Sequence, residues 1–351
     1  MAQSGIISDS VNSKTFWYCL EDGIWPDAID IISIILESTA IILNIFTGCL
    51  LLRIKEGDRV SIVLLRNFIF NNIVDAIMKL FDNVVQFPAD YTNVELNYAI
   101  CFIFDSRFLY WLFNTFAIEA LTLFAIDRVI SLKKMDSHLL MSTETRLKWY
   151  LATIYCFGIA ITAPQFISVN LENGGCTCAP THINVLVLSI IYAHVFLRFF
   201  LLVLLNGGIQ LLCAAAVIKW IRQTPVHNQY DELNHLHLVK KHSDEALYLK
   251  HLEERTSWRT PSLCILPLSI FYVITFGFDA TYQFFSGASV TTYVIGGPVQ
   301  KAGTMLLVVF SNIAPIILFI YLPVLRLSLA HLFHELKGRQ SRSQAGISAL
   351  Y

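Results

Sequence analysis

The sequence predicts an all-α membrane protein, a seven-transmembrane helix bundle with an amphipathic eighth helix. Two observations carry that expectation. Of the 351 residues, 55% are hydrophobic and 15% charged, with a mean hydropathy of +0.58. A soluble domain has about half apolar and roughly a quarter charged residues. The surplus is gathered into runs of about twenty or more residues, the length a helix needs to cross a hydrocarbon core. The second observation is the placing of Lys and Arg. All but five of the 25 fall in alternate polar gaps, at the adjoining span ends and in the tail, as basic residues kept on the cytoplasmic side do.

The spans run from Ile29 to Arg53, Ser61 to Phe87, Tyr98 to Ser131, Leu147 to Val169, Ile183 to Ile221, Thr260 to Phe284 and Tyr293 to Leu322. Residues 1–28 then form an extracellular N-terminus, 29–322 the bundle with a third inner loop at 222–259, and 323–351 the amphipathic helix and cytoplasmic tail. The first 28 residues are polar and aromatic and lack a short apolar core with a small-residue cleavage site. The first span is therefore expected to serve as the targeting signal itself. The inner side collects Arg53, Arg66, Lys133, Arg146, Lys219, Arg222 and the basic residues of the third inner loop and tail. Only Lys14, Lys79, Arg107, Arg198 and Lys301 lie elsewhere, so the N-terminus is expected outside, at the plasma membrane. After Pro323, residues Val324, Leu325, Leu327, Leu329, Leu332 and Phe333 form one face, with Arg326, His331, His334 and Lys337 opposite. Such a helix is expected to lie in the inner headgroup layer of the lipid bilayer.

Several function classes are disfavoured. A net charge of −1 does not suit a nucleic-acid binder, which carries a basic face. No Gly-rich phosphate loop, HExxH or GxSxG is present, so an enzyme is not expected. The histidines at 227, 235, 237, 242 and 251 lack the tight pairing of a metal site and read as part of a tether.

Ionisable groups inside spans are costly and default to functional candidates. Asp75, Lys79 and Asp82 share one face of the second span. They form either an interior polar site, with a Na+ ion at Asp75, or a structural set in which Lys79 neutralises both acids. His194 and Arg198 share a face of the fifth span, and Arg198 needs an interior partner, for which Glu119 and Asp279 are candidates. Glu37 is buried in the first span without an assigned role. Prolines 164, 267 and 315 interrupt the fourth, sixth and seventh spans, where loss of a backbone donor kinks a helix and makes a hinge.

Cys49, Cys156, Cys213 and Cys264 fall inside spans, while Cys19, Cys101, Cys176 and Cys178 fall outside, where disulfides persist. A bridge from Cys101 to Cys176 or Cys178 would pin the second outer loop over the bundle, and Cys19 could take the remaining loop cysteine. The pairing stays open. The outer acids Asp22, Asp27, Asp90, Glu95 and Glu172 have almost no basic company. Such a rim either steers a cationic ligand or is simply solvated.

Asp127-Arg128-Val129, near the inner end of the third span, resembles the Asp-Arg-Tyr of the rhodopsin-like (class A) G-protein-coupled receptors. Asn44 fits that family's first-span Asn. Asn71 and Asp75 resemble its second-span Asn-Leu-Ala-x-x-Asp. Cys101 and the loop cysteines fit its bridge. Cys264-Ile265-Leu266-Pro267 is similar to Cys-Trp-x-Pro, with Ile for Trp. Ser311-Asn312-Ile313-Ala314-Pro315 is similar to the Asn-Pro-x-x-Tyr region, with Ala for Asn and Tyr321 three residues late. The departures resemble a divergent invertebrate type, similar to flatworm orphan receptors. The resemblance implies a heterotrimeric G protein as partner, with Asp127, Arg128, Pro267, Asn312 and Pro315 as the switch. It also implies an interior polar site at Asn44, Asp75, Lys79 and Asn312. Tyr110 stands where aminergic receptors carry Asp, and Val308 where opsins carry the Schiff-base Lys, so neither amines nor retinal is implied. Tyr110, His194, Arg198 and Asp279 are the candidate ligand-pocket residues. The ligand is expected to be a peptide or a chemosensory small molecule. On this reading Arg128 is held by Asp127 at rest and freed when the sixth span swings. The rival reading is a transporter or ligand-gated channel with the buried charges as a permeation path.

Overall fold

The computed structural model of the protein describes residues 17–20, 26–54, 59–84, 94–133, 142–172, 175–177, 184–223, 261–323, 325–326, 328–330 and 332. Most of the third inner loop with its histidines, the first sixteen residues and most of the tail lie outside the described residues. Helices run at α1 (Ala28–Arg53), α2 (Arg59–Val84), α3 (Val94–Ile100), α4 (Phe108–Leu132), α5 (Thr143–Thr162), α6 (Val185–Arg198), α7 (Gly207–Gln223), α8 (Ile265–Gly287) and α9 (Pro298–Tyr321). Joined across their breaks, they make seven helical stretches long and apolar enough to cross a membrane. The protein is an all-α seven-helix bundle, with α4 packed against α2, α5 and α7.

On α1 the residue pattern runs inside-out relative to a helix of a soluble bundle. The buried face carries Asp30, Ser33, Glu37, Asn44 and Thr47, while Ile42 is 67% exposed and Ile31, Ile35 and Ile45 face outward with it. Polar groups cluster inside and aliphatic ones cover the outside, as a lipid solvent demands. The helix ends are closed from within the chain. Asp27 and Asp30 form a capping box at the start of α1. At its end, Arg66 donates to the carbonyls of Leu51 and Ile54, satisfying acceptors that no further helical turn can reach.

The third span, expected to be continuous, is broken, while the fifth stays continuous but changes its winding. In the third, α3 widens into a π turn at Cys101–Asp105, and Arg107 takes a left-handed backbone with φ 57° before α4 begins. Ser106 stitches the break. Its hydroxyl donates to the Phe102 carbonyl and accepts from the Phe108 N–H. In the fifth, a π segment (Phe199–Asn206) separates α6 from α7. The Tyr272 hydroxyl donates to the Leu202 carbonyl in that segment.

The prolines also behave differently from expectation. Pro164 lies in a 3-10 turn (Ala163–Ser168) that ends α5. Pro267 lies in the first turn of α8, straight after a 3-10 turn at Pro261–Cys264. There its missing N–H falls in the first α-helical turn, next to the change from 3-10 to α winding. Neither is a mid-helix hinge. Pro315 is inside α9, and the carbonyl it leaves without a donor, that of Ser311, accepts instead from Asn44 Nδ2 at 2.9 Å. Asn312 adds a bond to the Leu36 carbonyl at 2.9 Å. The two asparagines thus lock the proline turn of α9 onto α1.

Two short strand pairs, which the sequence did not suggest, sit at the N-terminal end. β1 (Trp17–Cys19) runs parallel to β4 (Tyr293–Ile295), so Tyr293 lies in a strand before the seventh span begins. β2 (Asn170–Glu172) and β3 (Gly175–Thr177) form a hairpin, with β2 against the Cys101 turn. Cys101 is buried and disulfide-bonded. The side chains of Cys19, Cys176 and Cys178 lie outside the described residues. Cys49, Cys156, Cys213 and Cys264 are not disulfide-bonded. Past α9, the backbone is helical at Pro323, Leu325, Arg326, Ser328, Leu329, Ala330 and Leu332. Leu325 is fully buried and Leu329 packs against the same core, so part of that apolar face meets protein rather than lipid. The other face residues, Val324, Leu327 and Phe333, lie outside the described residues.

One packing contact gives a direct test. A Cβ placed on Gly158 of α5 would come within 2.5 Å of the Phe116 ring. That ring is held edge-on between Phe113 and Tyr155. Gly158→Ala is expected to destabilise by about 1–3 kcal/mol, read as a lowered melting temperature of the solubilised protein. An unchanged melting temperature would refute close α4–α5 packing at this point.

Candidate functional site

Two polar clusters occupy opposite ends of the interior. At the N-terminal end α2 supplies Asp75 and Lys79, one turn apart, with Lys79 Nζ 2.8 Å from Asp75 Oδ2 and both side chains buried. Asn114 of α4 donates to the same oxygen at 3.4 Å, and Lys79 lies 4.7 Å from the centre of the Tyr110 ring. Asp82, expected to share Lys79, pairs instead with Arg107 at 3.2 Å, across the break in the third span. The Na+ ion considered for Asp75 does not fit. The carboxylate already faces a fixed ammonium, and a second cation would meet like charge.

Arg198, the last residue of α6, stacks on Trp111 with its guanidinium carbon 3.3 Å from the ring centre, a geometry that stabilises a buried cation without an acid in contact. Of its two expected partners, Glu119 is taken by Asn206 Nδ2. Asp279 feels the fields of Arg198, Arg107 and Lys79, and its contacting partner is Gln283 Nε2 at 3.0 Å. Gly303 of α9 makes room for it, since a Cβ there would stand 3.1 Å from Asp279 Oδ1. Gln283 also reaches the Tyr293 hydroxyl at 3.3 Å. Tyr293, with Trp17 and Ile191, forms a small apolar cluster over this end. Burial there, with Asp279 nearby, pushes the Tyr293 phenol up. Five buried atoms of the cluster, Asp75 Oδ1, Tyr110 Oη, Asn114 Oδ1, His194 Nε2 and Asp279 Oδ1, have no hydrogen-bond partner among the described residues.

The rim is less acidic than the sequence suggests. Lys301 of α9 binds Asp27 Oδ2 at 2.8 Å and Asp30 Oδ1 at 2.7 Å. The hydrogen bond from Lys301 holds the Asp27 carboxyl below its usual range. Asp27 is therefore spoken for, while Asp22, Asp90 and the Glu172 side chain lie outside the described residues.

At the opposite end, Asp127 and Arg128 close α4. Asp127 accepts from the Ser61 hydroxyl at 2.8 Å and lies 3.4 Å from Arg146 Nε on α5. Arg128 Nε donates to the Ser262 hydroxyl at 3.1 Å, and its Nη1 reaches Ser61 at 3.5 Å. The sequence reading tied Arg128 to its neighbour Asp127. In the folded chain Asp127 meets Ser61 and Arg146, and Arg128 meets Ser262 and Ser61, so that α2, α4, α5 and the entry to α8 come together there in a knot. No motif marks Ser61, Arg146 and Ser262, nor Trp111, because their importance comes from which helices face one another.

No family model matches this chain, and no curated protein matches it either. The seven apolar helices with a polar interior make it a multi-pass membrane protein of receptor, transporter or channel type. The sequence-predicted residues fall into three places. Tyr110, His194, Arg198 and Asp279 gather with Lys79 and Asp75 at the N-terminal end. Asn44, Asn312 and Pro315 form the α1–α9 lock. Asp127 and Arg128 form the knot at the other end, with Pro267 in the turn that follows Ser262.

Proposed function

We propose that the protein is a rhodopsin-like G-protein-coupled receptor of divergent type, with its N-terminus outside the cell, that relays a ligand bound at the Trp17 end to a heterotrimeric G protein at the Arg128 end. The observation that carries this reading is the buried Arg128–Ser262 hydrogen bond. It ties the inner end of the third span to the entry of the sixth, on the side where Lys and Arg accumulate. In the resting arrangement the bond holds α8 close. A ligand that binds better to a second arrangement, with the inner end of α8 displaced, draws the population toward it. Ser262 then leaves, Arg128 becomes available to a partner helix, and basic inner segments attract both partner and anionic lipid. The Cys101 bridge, paired with Cys176 or Cys178, would hold the β2–β3 hairpin over the entrance.

Full-length protein in lipid discs with purified G proteins is expected to accelerate nucleotide exchange, while Arg128→Ala falls about tenfold or more, as loss of a charged hydrogen bond implies. Exchange unaffected by that substitution would remove the role given to Arg128. The string of buried charges from Asp75 to Arg198 is what a transporter or channel would use. Ligand-dependent current or uptake in discs without G protein would favour that reading instead.

A further inference from the structure

We propose that the polar cluster at the Trp17 end is a recognition site for a small zwitterion, a free amino acid or short peptide whose carboxylate meets Arg198 and whose ammonium meets Asp279. The inference rests on the receptor reading for its consequence, though the site's chemistry stands on the geometry alone.

The charges of the cluster sort themselves. Lys79 is neutralised by Asp75 and Arg107 by Asp82, each in direct contact. Glu37, buried near Lys79, is held by Asn83, and Arg198 and Asp279 remain. They are of opposite sign and feel each other's field, yet among the described residues they form no ion pair with one another. Arg198 is 6% exposed and Asp279 2%, so both have given up most of their hydration, which is costly without partners. A purely cationic ligand would satisfy Asp279 and leave Arg198 facing like charge. A purely anionic one would do the reverse. A ligand that brings both signs compensates both, and Arg is the side chain best shaped to grip a carboxylate.

The surrounding groups fit that division. Tyr110 lies beside Trp111, with ring centroids 4.3 Å apart, and its unpartnered hydroxyl, which feels Asp279 and Asp75 as well as Arg198, adds a donor to the cluster. His194, one turn before Arg198 on α6, adds a second unpartnered polar atom, Nε2. Asp279 Oδ1 is the unpartnered acceptor on the other side, its Oδ2 being held by Gln283. Trp111 covers one face of the guanidinium. The size limit comes from the roof. Trp17 is 3% exposed and packs with Tyr293 and Ile191, and Tyr293 is joined through Gln283 to Asp279. A small ligand suits a site closed in this way.

The test is thermal unfolding of the full-length protein in detergent with millimolar free L-amino acids and Gly-X dipeptides as probes. At least one is expected to raise the melting temperature by about 2 °C or more. Its N-acetyl form, lacking the ammonium, and its C-terminal amide, lacking the carboxylate, should each need at least about tenfold higher concentration for the same shift. Arg198→Gln should no longer distinguish acid from amide, and Asp279→Asn should no longer distinguish amine from N-acetyl. If either variant fails to fold, the blocked probes on the parent protein decide alone. No shift from any probe, or blocked forms as good as free ones, overturns the proposal. Nucleotide exchange on the same preparation separates the two readings. Arg128-dependent exchange with no zwitterion binding sinks this inference and spares the receptor. Binding without exchange does the opposite.

Discussion

Lys79→Ala is expected to cost about 3–5 kcal/mol, because it removes one partner of a buried ion pair and leaves Asp75 without its countercharge. Asp75 is wholly inaccessible and Lys79 is 5% exposed. The remaining neighbour, Asn114, reaches Asp75 Oδ2 only at 3.4 Å. Stability by thermal unfolding in detergent, together with surface expression, measures the loss. The double variant Asp75→Asn with Lys79→Met should recover most of it, since replacing both partners by neutral groups of similar size leaves no charge stranded. If the single variant melts within about 1 °C of the parent protein, the pair is not buried as described. The Lys79–Tyr110 contact makes a second readout possible. Any zwitterion bound beside Tyr110 should bind less tightly to Lys79→Ala than to the double variant, because only the former leaves a bare acid in the cluster.

Ser262→Ala is expected to raise basal nucleotide exchange by roughly tenfold. A hydrogen bond to a charged donor contributes about 1.5–3 kcal/mol. Losing it from the resting arrangement alone shifts a two-state balance by that factor or more. Ser262→Thr keeps the hydroxyl and should stay near the parent level. The sign matters more than the size. Arg128→Ala removes the group that meets the partner and should lower exchange, whereas Ser262→Ala removes what restrains that group and should raise it. If both substitutions lower exchange, the Arg128–Ser262 bond is scaffolding and not a restraint. Ser61 offers an internal comparison, because it contacts Asp127 and Arg128 together.

Much of this was legible along the chain. The spans follow from the length of apolar runs, and α1 begins and ends within a residue of expectation, capped by Asp27 at its start and turning extended at Ile54. Asp75 and Lys79 were readable as a pair, since a spacing of four puts them on one face of any helix. The partners of Asp82 and Arg198 were not. Asp82 turns to Arg107 only because the third span breaks at a left-handed residue. Arg198 turns to Trp111 because α6 and α4 meet at that height. Pro267 illustrates the same limit. A proline in an apolar run reads as a kink, but its effect depends on where the helix starts, and the 3-10 turn at Pro261–Cys264 puts it in the first turn.

Composition and periodicity by themselves determined that this chain is a helical membrane bundle, because in a solvent that cannot hydrogen-bond the backbone must satisfy itself within each segment. They also singled out most of the ionisable side chains that are buried, though Asp82 is exposed and the buried Asp30 was not among them. The tertiary structure decided who meets whom: Lys301 with Asp27 and Asp30, Ser262 with Arg128, Asn44 with the carbonyl that Pro315 leaves open. Those meetings depend on the rotation and height of each helix against its neighbours. Side-chain packing between distant segments sets these, and no local run of residues encodes them.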